Sequence, residues 1–569
     1  MKFEEMLYKR PNYEEVKTQL NALYNQLKEA SNPSSFFEVF NSINDVRSTI
    51  STMKGINSIR NSIDVNNTFE LQEKAYWDEM DPSYQELEIP LFKILLACPF
   101  KKELADRIPE LFFTTIESQS KVFSEVITKE VLEENKLITE YENIFAKLMV
   151  QYNGQDYRIA AMAPFINSVD RSIRKSATEA LNKAISKYQE LLDTIYDKLV
   201  HLRDTSAKKL GFKNFVEMAY LIRNRIKYDS RDVANLRSKV LEYATPFTTK
   251  QAESRRIRLG LDELYYYDNI MFKTGNPKPK GTETELVNKA LQMYKGISKE
   301  VSVFFNEMLN NNLITLTDLP NKKAGGYCCY LLNYKCPFIF ATFNGTTHDV
   351  NVLTHEFGHA LQSYNANNKY KGNYLVMPET VYPSMEVAEI FSVGMEMLTL
   401  NYMDSFYLED TAKNHYLQLE SAVTFLPYGC LVDHFQQEVY ENPNMTPKMR
   451  RDTWRKLEKL YCPHINYADN AYLESGTYWF RQSHIFTSPF YYIDYVIAYI
   501  SALEIWKNSK IDFQNTWTNY IELGYKANRY PYIDLIKMGN LSNPFTTDIL
   551  KYLVKEVETD LSKIDTTDL

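Results

Sequence analysis

Residues 354–363 read THEFGHALQS, and this stretch decides how the rest of the chain is interpreted. His355, Glu356 and His359 fit the pattern H-E-x-x-H. Residues i and i+4 of an α-helix differ by about 40° in azimuth and ~6 Å in rise, so both imidazoles project from one face and can bind one metal ion. Glu356 lies about 100° further round the helix, where its carboxylate can reach a water on the metal without being a ligand. The stretch therefore predicts a metal-binding helix that carries its own general base.

A catalytic zinc site takes three protein ligands and leaves a fourth position open for water. No histidine occurs between His359 and His415, so a carboxylate is the expected third ligand and the predicted site is of the His-His-Glu type. The nearest downstream candidates are Glu379, Glu386, Glu389 and Glu396.

The segment 383–398, PSMEVAEIFSVGMEML, predicts a helix with Ser384 as a plausible N-cap. Glu389 and Glu396 are seven residues apart and therefore only about 20° from each other on one helix face. Glu386 falls in the first turn, where the helix dipole favours an ionised carboxylate. Position alone leaves both Glu389 and Glu386 open as the third ligand.

The chain as a whole has the composition of a mainly helical protein. It has 569 residues with only 17 Gly and 21 Pro, which disfavours an all-β architecture. Helical periodicity is broken at about 313–346, which predicts two to four short strands just before a metal helix at about 348–363. We expect an N-terminal helical lobe over 1–200 and a catalytic domain over 201–569.

The strand segment PFIFATFNGT, at 337–346, leaves two interpretations open. It could pair with an extended peptide by adding a strand to the sheet. Alternatively, it is simply covered by neighbouring strands.

Charge and cysteine usage exclude several classes of protein. The net charge is −8 and the sequence pI is about 5.7, which gives no electrostatic signal for nucleic acid or an anionic membrane. The six cysteines include no CxxC pair, so neither a disulfide framework nor a thiolate zinc site is predicted. No apolar stretch of ~18 residues and no signal-peptide pattern is found. We expect a soluble cytoplasmic protein.

The motifs resemble those of the zinc oligopeptidases of the thimet oligopeptidase and oligoendopeptidase F group. THEFGHALQS is similar to the metal motif of that family, and VAEIFSVGME, at 387–396, is similar to its second metal helix. The resemblance implies that Glu389 is the third ligand. Glu386 and Glu396 are then candidates to lie behind the ligands, where a carboxylate accepts a hydrogen bond from a ligand histidine and fixes its tautomer. The alternative for each of them is a solvated acid on the helix face.

A second segment, HIFTSPFYYIDY at 484–495, resembles the tyrosine-rich substrate-contacting segment of the same family. The family pattern has a histidine upstream of two tyrosines three apart, which His484, Tyr492 and Tyr495 match. The resemblance implies that His484 and Tyr495, with Tyr492 or Tyr491 as rivals, stabilise the oxyanion of the reaction. It also takes in RDTSAKKLGFKNFVEMAY at 203–220, and it is nearest to the bacterial oligoendopeptidase F branch.

The resemblance implies a mainly α, two-lobed zincin-like metallopeptidase with a small β-sheet next to the metal helix and a deep substrate channel. It also implies one Zn²⁺ per chain and short unstructured oligopeptides as substrates of a zinc endopeptidase. The alternatives are a zinc exopeptidase, either an aminopeptidase or a carboxypeptidase, and an inactive helical peptide-binding scaffold. The sequence gives no indication of the oligomeric state.

Overall fold

The computed structural model of the protein describes residues 1–122, 124–369, 374–566 and 569. The chain forms two compact units. One contains Met1–Phe123, Lys278–Glu409 and Ile505–Leu541, and the other contains Ser124–Pro277, Asp410–Glu504 and Ser542–Leu569. The division of the chain near residue 200 stays a prediction, and that residue lies inside a helix, Gln189–Lys209.

Most of the described chain is helical, which confirms the predicted fold class. The α-helices, in chain order, are α1 Tyr13–Glu29, α2 Pro33–Ile63, α3 Thr68–Glu86, α4 Ile89–Leu96, α5 Glu110–Val122, α6 Thr128–Lys147, α7 Ala163–Ile166, α8 Arg171–Ser186, α9 Gln189–Lys209, α10 Phe215–Ile222, α11 Ser230–Lys239, α12 Thr245–Leu259, α13 Glu283–Ile297, α14 Lys299–Asn310, α15 His348–Tyr364, α16 Met385–Thr399, α17 Asp404–Tyr407, α18 Thr411–Glu441, α19 Pro447–Tyr461, α20 Ala471–Glu474, α21 Ser483–Thr487, α22 Tyr492–Ser509, α23 Phe513–Lys526, α24 Tyr532–Met538 and α25 Ile549–Leu561.

The first three helices show how local sequence sets where a helix starts. Asn12, Asn32 and Asn67 each stand at the N-cap, and each side-chain oxygen accepts hydrogen bonds from backbone amides of the first turn. Those amides have no partner inside the helix, and an Asn at this position stabilises a helix by about 1 kcal/mol relative to Ala.

In the part of the chain that the structure describes, five strands form two small sheets. They are β1 Met149–Tyr152, β2 Gln155–Arg158, β3 Ile314–Thr315, β4 Gly326–Leu331 and β5 Cys336–Ala341. The first two form an antiparallel hairpin, and the other three form a sheet in the order β3-β5-β4, with β3 parallel and β4 antiparallel to β5.

The three-stranded sheet lies within 313–346, immediately before α15, where the break in helical periodicity predicts it. Strand β5, which carries the first half of the PFIFATFNGT segment, is the central strand and is paired on both edges. Its backbone groups are therefore already used within the sheet. The second of the two interpretations of this segment, coverage by neighbouring strands, is the one that the structure shows.

The metal helix α15 packs against the sheet, α16 and the aromatic side chains of α13 and α14. Phe357 is fully buried, with its ring centroid 4.3 Å from that of Tyr294 and 5.1 Å from that of Phe305. Fully burying one such side chain stabilises the fold by about 1.5–3 kcal/mol. This apolar side fixes the helix, so that its other face can carry polar groups.

The segment that connects α15 to α16 is held by α2 of the same unit. Asn44 donates through Nδ2 to the carbonyl oxygen of Val376 at 2.7 Å. Arg47, fully buried, forms ion pairs with Glu88 and with Glu379. The N-terminal helices therefore support the polypeptide between the two helices that carry the predicted metal ligands.

Across residues 1–122, 124–369 and 374–566, none of the helices is both long enough and apolar enough to cross a bilayer.

Candidate metal centre

The first turn of α15 is anchored by a carboxylate. Asp349 accepts hydrogen bonds from the backbone amides of Asn344 and Gly345, both at 2.8 Å, and so closes the loop that leads from the sheet into the helix. Its negative charge also lies at the N-terminal end of the helix dipole, where it is favoured. The Tyr407 hydroxyl donates to the carbonyl oxygen of Thr347 at 3.2 Å. The start of the metal helix is thus fixed from two sides.

His355 and His359 project from one face of α15, as their spacing predicts. Their ring centroids are 5.0 Å apart and the ring planes are nearly perpendicular, at 84°. The His355 side chain is 24% exposed and the His359 side chain 19%, so neither is fully buried.

Glu389, on α16, meets both imidazoles. Its Oε2 atom lies 3.3 Å from His355 Nε2 and 3.6 Å from His359 Nε2. Neighbouring ligands of a tetrahedral ion with bonds of about 2.0–2.1 Å lie about 3.3 Å apart. The ligand atoms of these three residues all lie within 4.8 Å of one another. This donor set therefore has the size and the chemistry of a His-His-Glu metal site.

The carboxylate of Glu389 is itself held in place. The Ser392 hydroxyl donates to its Oε2 atom at 2.8 Å. Burial raises the pKa of Glu389, but the two histidines and Ser392 outweigh it and lower that pKa to about 2. The side chain is therefore a carboxylate at neutral pH, which is the form that a metal ligand requires.

Glu396 orients His355 through a hydrogen bond with the ring nitrogen Nδ1. Its Oε1 atom lies 2.7 Å from His355 Nδ1, which leaves Nε2 to face Glu389. Burial favours the neutral imidazole, but the hydrogen bonds to Glu389 and Glu396 outweigh it and raise the pKa of His355 well above its ordinary value. For His359, burial dominates and lowers the pKa to about 4. The two carboxylates thus create a buried position that favours a positive charge.

Glu356, on α15, lies next to the first residue of the edge strand β4. It is 6% exposed, and a Cβ atom added to Gly326 would lie 3.3 Å from its Oε1 atom. Burial, opposed by His355 and reinforced by Glu389 and Glu396, raises the pKa of Glu356 to about 7. Within the described part of the chain, its Oε2 atom is buried and accepts no hydrogen bond. This carboxyl group therefore needs only a small change of environment to take up or release a proton.

The remaining candidate carboxylates lie elsewhere. Glu379 forms the buried ion pair with Arg47. Glu386 is buried in the first turn of α16. Among the residues that the structure describes, it is Glu389 that forms a group with the two histidines.

The candidate oxyanion donors lie together in the second unit. His484 is on α21, and its ring centroid is 5.4 Å from that of Tyr491, 5.0 Å from that of Tyr492 and 6.2 Å from that of Tyr495. The Tyr495 hydroxyl donates to the Tyr491 hydroxyl at 3.1 Å. These four residues form what we call the His484 cluster, and their roles in the reaction stay predictions.

Sequence reasoning did not single out Ser392, which holds the Glu389 carboxylate, or Arg47, which supports the segment between α15 and α16. Ser392 stands three residues after Glu389, and this spacing on a helix could have indicated it. Arg47 is more than three hundred residues from its partner Glu379 in sequence, and no local pattern points to it.

A mainly helical fold with a small sheet, an H-E-x-x-H helix and a Glu ligand from the next helix defines a metalloendopeptidase of the zinc-binding class that hydrolyses oligopeptides. The chain belongs to Peptidase family M3. The model of that family matches residues 165–529, and the Peptidase M3 N-terminal domain matches residues 3–123.

Individual relatives agree with this assignment. The chain is 24% identical to the oligoendopeptidase F homolog of Borreliella burgdorferi, over 78% of this chain and 76% of that protein. It is 26% identical to the oligopeptidase PepF of Bacillus subtilis, over 68% of this chain and 54% of that protein. Among solved structures, PZ peptidase A with an inhibitor is similar at a TM-score of 0.94 and 38% identity, with 100% of both chains covered.

Proposed function

We propose that one Zn²⁺ per chain is held by Nε2 of His355, Nε2 of His359 and the carboxylate of Glu389. The distances of 3.3 and 3.6 Å between the Glu389 oxygen and the two ring nitrogens support this proposal. Two imidazoles and one carboxylate are a ligand set of catalytic zinc, with the fourth position open for water or substrate. Glu396 supports the site by fixing the tautomer of His355, as carboxylates behind zinc ligands commonly do.

In the proposed reaction Glu356 carries the proton. The bound ion would supply polarisation of the scissile carbonyl and a lowered pKa for the attacking water. The Glu356 carboxylate accepts a proton from that water and then donates it to the amine that leaves. A carboxyl group with a pKa of about 7 is suited to both tasks at neutral pH.

The His484 cluster would stabilise the negative charge that develops on the carbonyl oxygen. Three of its members, His484, Tyr492 and Tyr495, are the donors that the family resemblance implies, and their mutual contacts support a shared role. Loss of one such donor lowers the rate of other acyl-transfer enzymes by about 10²–10³-fold.

The substrates of this endopeptidase would be short unstructured oligopeptides, cleaved internally in the cytoplasm. The matched relatives named oligopeptidase and oligoendopeptidase support the substrate class. The free cysteines and the net charge of −8 are in keeping with a reducing compartment and with a substrate other than nucleic acid or a membrane.

The test of the function compares three variants on one internally quenched octapeptide that is blocked at both ends. We expect the wild-type enzyme to cleave it internally, Glu356→Gln to keep zinc and lose at least a thousandfold in kcat, and His359→Ala to lose both. Zinc is measured by mass spectrometry of the purified protein. Glu300→Gln, whose side chain is 68% exposed, is the matched control. Retained activity in Glu356→Gln would contradict the proposed mechanism, and cleavage of unblocked peptides alone would indicate an exopeptidase.

A further inference from the structure

The loop between α21 and α22, which carries Tyr491, has an unusual backbone. Phe490 adopts a left-handed conformation with φ of 62°, a region that residues other than glycine rarely occupy. Its amide donates to the side-chain oxygen of Gln436 at 3.0 Å. A strained residue of this kind persists only where the surroundings determine its conformation. The conformation of Phe490 is therefore held by the residues that contact this loop.

Two buried arginines hold the carbonyl oxygens of this segment. Arg203, fully buried, donates through Nη2 to the carbonyl of Phe486 at 2.5 Å. Arg225, also buried, donates to the carbonyl of Phe490 and forms an ion pair with Asp494 at 2.7 Å. Hydrogen bonds from a charged donor are stronger than those between neutral groups. These hydrogen bonds thus fix the backbone of α21 and of the loop itself.

A third arginine, Arg223, contacts the loop and one of its side chains at the same time. It is half-buried at the C-terminal end of α10, and its Nε donates to the carbonyl oxygen of Pro489 at 3.1 Å. The centre of its guanidinium lies 5.4 Å from the ring centroid of Tyr491, within the range of a cation–π contact. Arg223 therefore holds the backbone two residues before Tyr491 and contacts the Tyr491 ring.

Tyr491 links this contact to the His484 cluster. Its ring stacks on His484, with an interplanar angle of 28°, and its hydroxyl accepts from Tyr495 at 3.1 Å. A displaced Tyr491 ring would move both the imidazole and the Tyr495 hydroxyl.

We propose that Arg223 is a positioning residue for the reaction, which acts through Tyr491 to hold His484 and Tyr495 in the geometry that stabilises the oxyanion. The inference rests on the proposed role of the His484 cluster. The same proposal explains the contacts of Arg203 and Arg225. These two residues hold the backbone of the segment, and Arg223 holds the Tyr491 ring.

The experiment measures kcat and KM of zinc-loaded full-length variants on the blocked octapeptide. We expect Arg223→Met to lower kcat about tenfold or more with KM within twofold, because the cluster acts in the transition state. Arg223→Lys keeps a cation near the ring but lacks the planar fork, and we expect it to recover part of the loss. Arg231→Met is the matched control, since the Arg231 side chain is 90% exposed.

A double-mutant cycle with Tyr491→Leu, which removes the ring, separates positioning from general destabilisation. If Arg223 acts through the Tyr491 ring, Arg223→Met lowers kcat less than twofold further in the Tyr491→Leu background. Multiplicative losses would overturn the inference, and so would an unchanged kcat in Arg223→Met. Should Arg223→Met fail to fold, Arg223→Lys enters the same cycle with the same two outcomes.

His484→Ala and Tyr495→Phe distinguish the two levels of the proposal. Unchanged kcat in both variants would contradict the proposed role of the cluster itself. Large losses in both, with Arg223→Met unaffected, would contradict only the positioning role of Arg223.

Discussion

Gly358 of the metal helix faces the carbonyl oxygen of Phe391 on α16 so closely that a Cβ atom at Gly358 would lie 2.3 Å from that oxygen. The same atom would lie 2.8 Å from the Cα atom of Ser392. Both neighbours are backbone atoms of the helix that carries Glu389, and the Phe391 carbonyl also accepts from the Tyr520 hydroxyl at 2.6 Å. The distance between the two helices that supply the ligands is therefore set by the absence of a side chain.

Gly358→Ala is expected to weaken zinc binding. Alanine is the better helix former by about 1 kcal/mol, but the backbone contact cannot yield without moving α15 away from α16, and overpacking of this kind costs about 1–3 kcal/mol. We expect at least a tenfold weaker affinity for zinc, measured by competition with a chelator. Gly524→Ala on α23 is the control, since its nearest neighbour would lie at an ordinary 3.6 Å. Equal zinc affinity in Gly358→Ala and wild type would show that the helices adapt.

Glu396→Gln is expected to lower zinc affinity or kcat by about 10–100-fold, the usual effect of removing a carboxylate behind a zinc-bound histidine. The amide can still accept from His355 Nδ1, so folding and thermal stability should change little. Zinc competition and kcat on the blocked octapeptide measure the effect. An unaltered value of both would show that the backbone and packing alone orient His355.

Removal of the metal should abolish activity and lower stability together. An ion that binds only the folded protein stabilises it by about 4 kcal/mol at a thousandfold excess over its Kd. We expect the Tm to fall on treatment with a chelator and to rise again with added Zn²⁺, followed by differential scanning calorimetry. In His359→Ala the Tm should no longer respond to zinc. A response equal to that of the wild type would place the ion elsewhere.

Arg47→Met is expected to destabilise the first unit by about 3–5 kcal/mol, because it leaves the buried carboxylate of Glu379, and the partly exposed one of Glu88, without their cation. Urea unfolding of the full chain measures this change. Lys54→Met breaks an exposed ion pair with Asp81 and should cost less than about 1 kcal/mol. Similar losses in both variants would mean that burial of the Arg47 pair carries no special weight.

The parts of the fold and site that could be predicted are those that depend on neighbours in sequence. The placement of His355 and His359 on one face follows from the local geometry of a helix. The short sheet before them is predicted by a local break in helical periodicity. The choice of Glu389 over Glu386 depends on how α16 packs against α15, so spacing left it open and only the family resemblance selected it. The contacts of Arg47 with Glu379 and of Arg223 with Tyr491 join distant parts of the chain, and no periodicity indicates them.

Helix α2 supports the α15–α16 connection, and this contact shows that a domain defined by family similarity need not coincide with a compact structural unit. The family description divides the chain into an N-terminal part over 3–123 and a peptidase part over 165–529. Physically, the first 122 residues share a compact unit with the helices that bear His355 and Glu389. A shortened polypeptide starting at 165 would retain every proposed metal ligand but lose the N-terminal helices that pack in the same unit. The boundaries of the family domains and those of the compact units therefore differ in this enzyme.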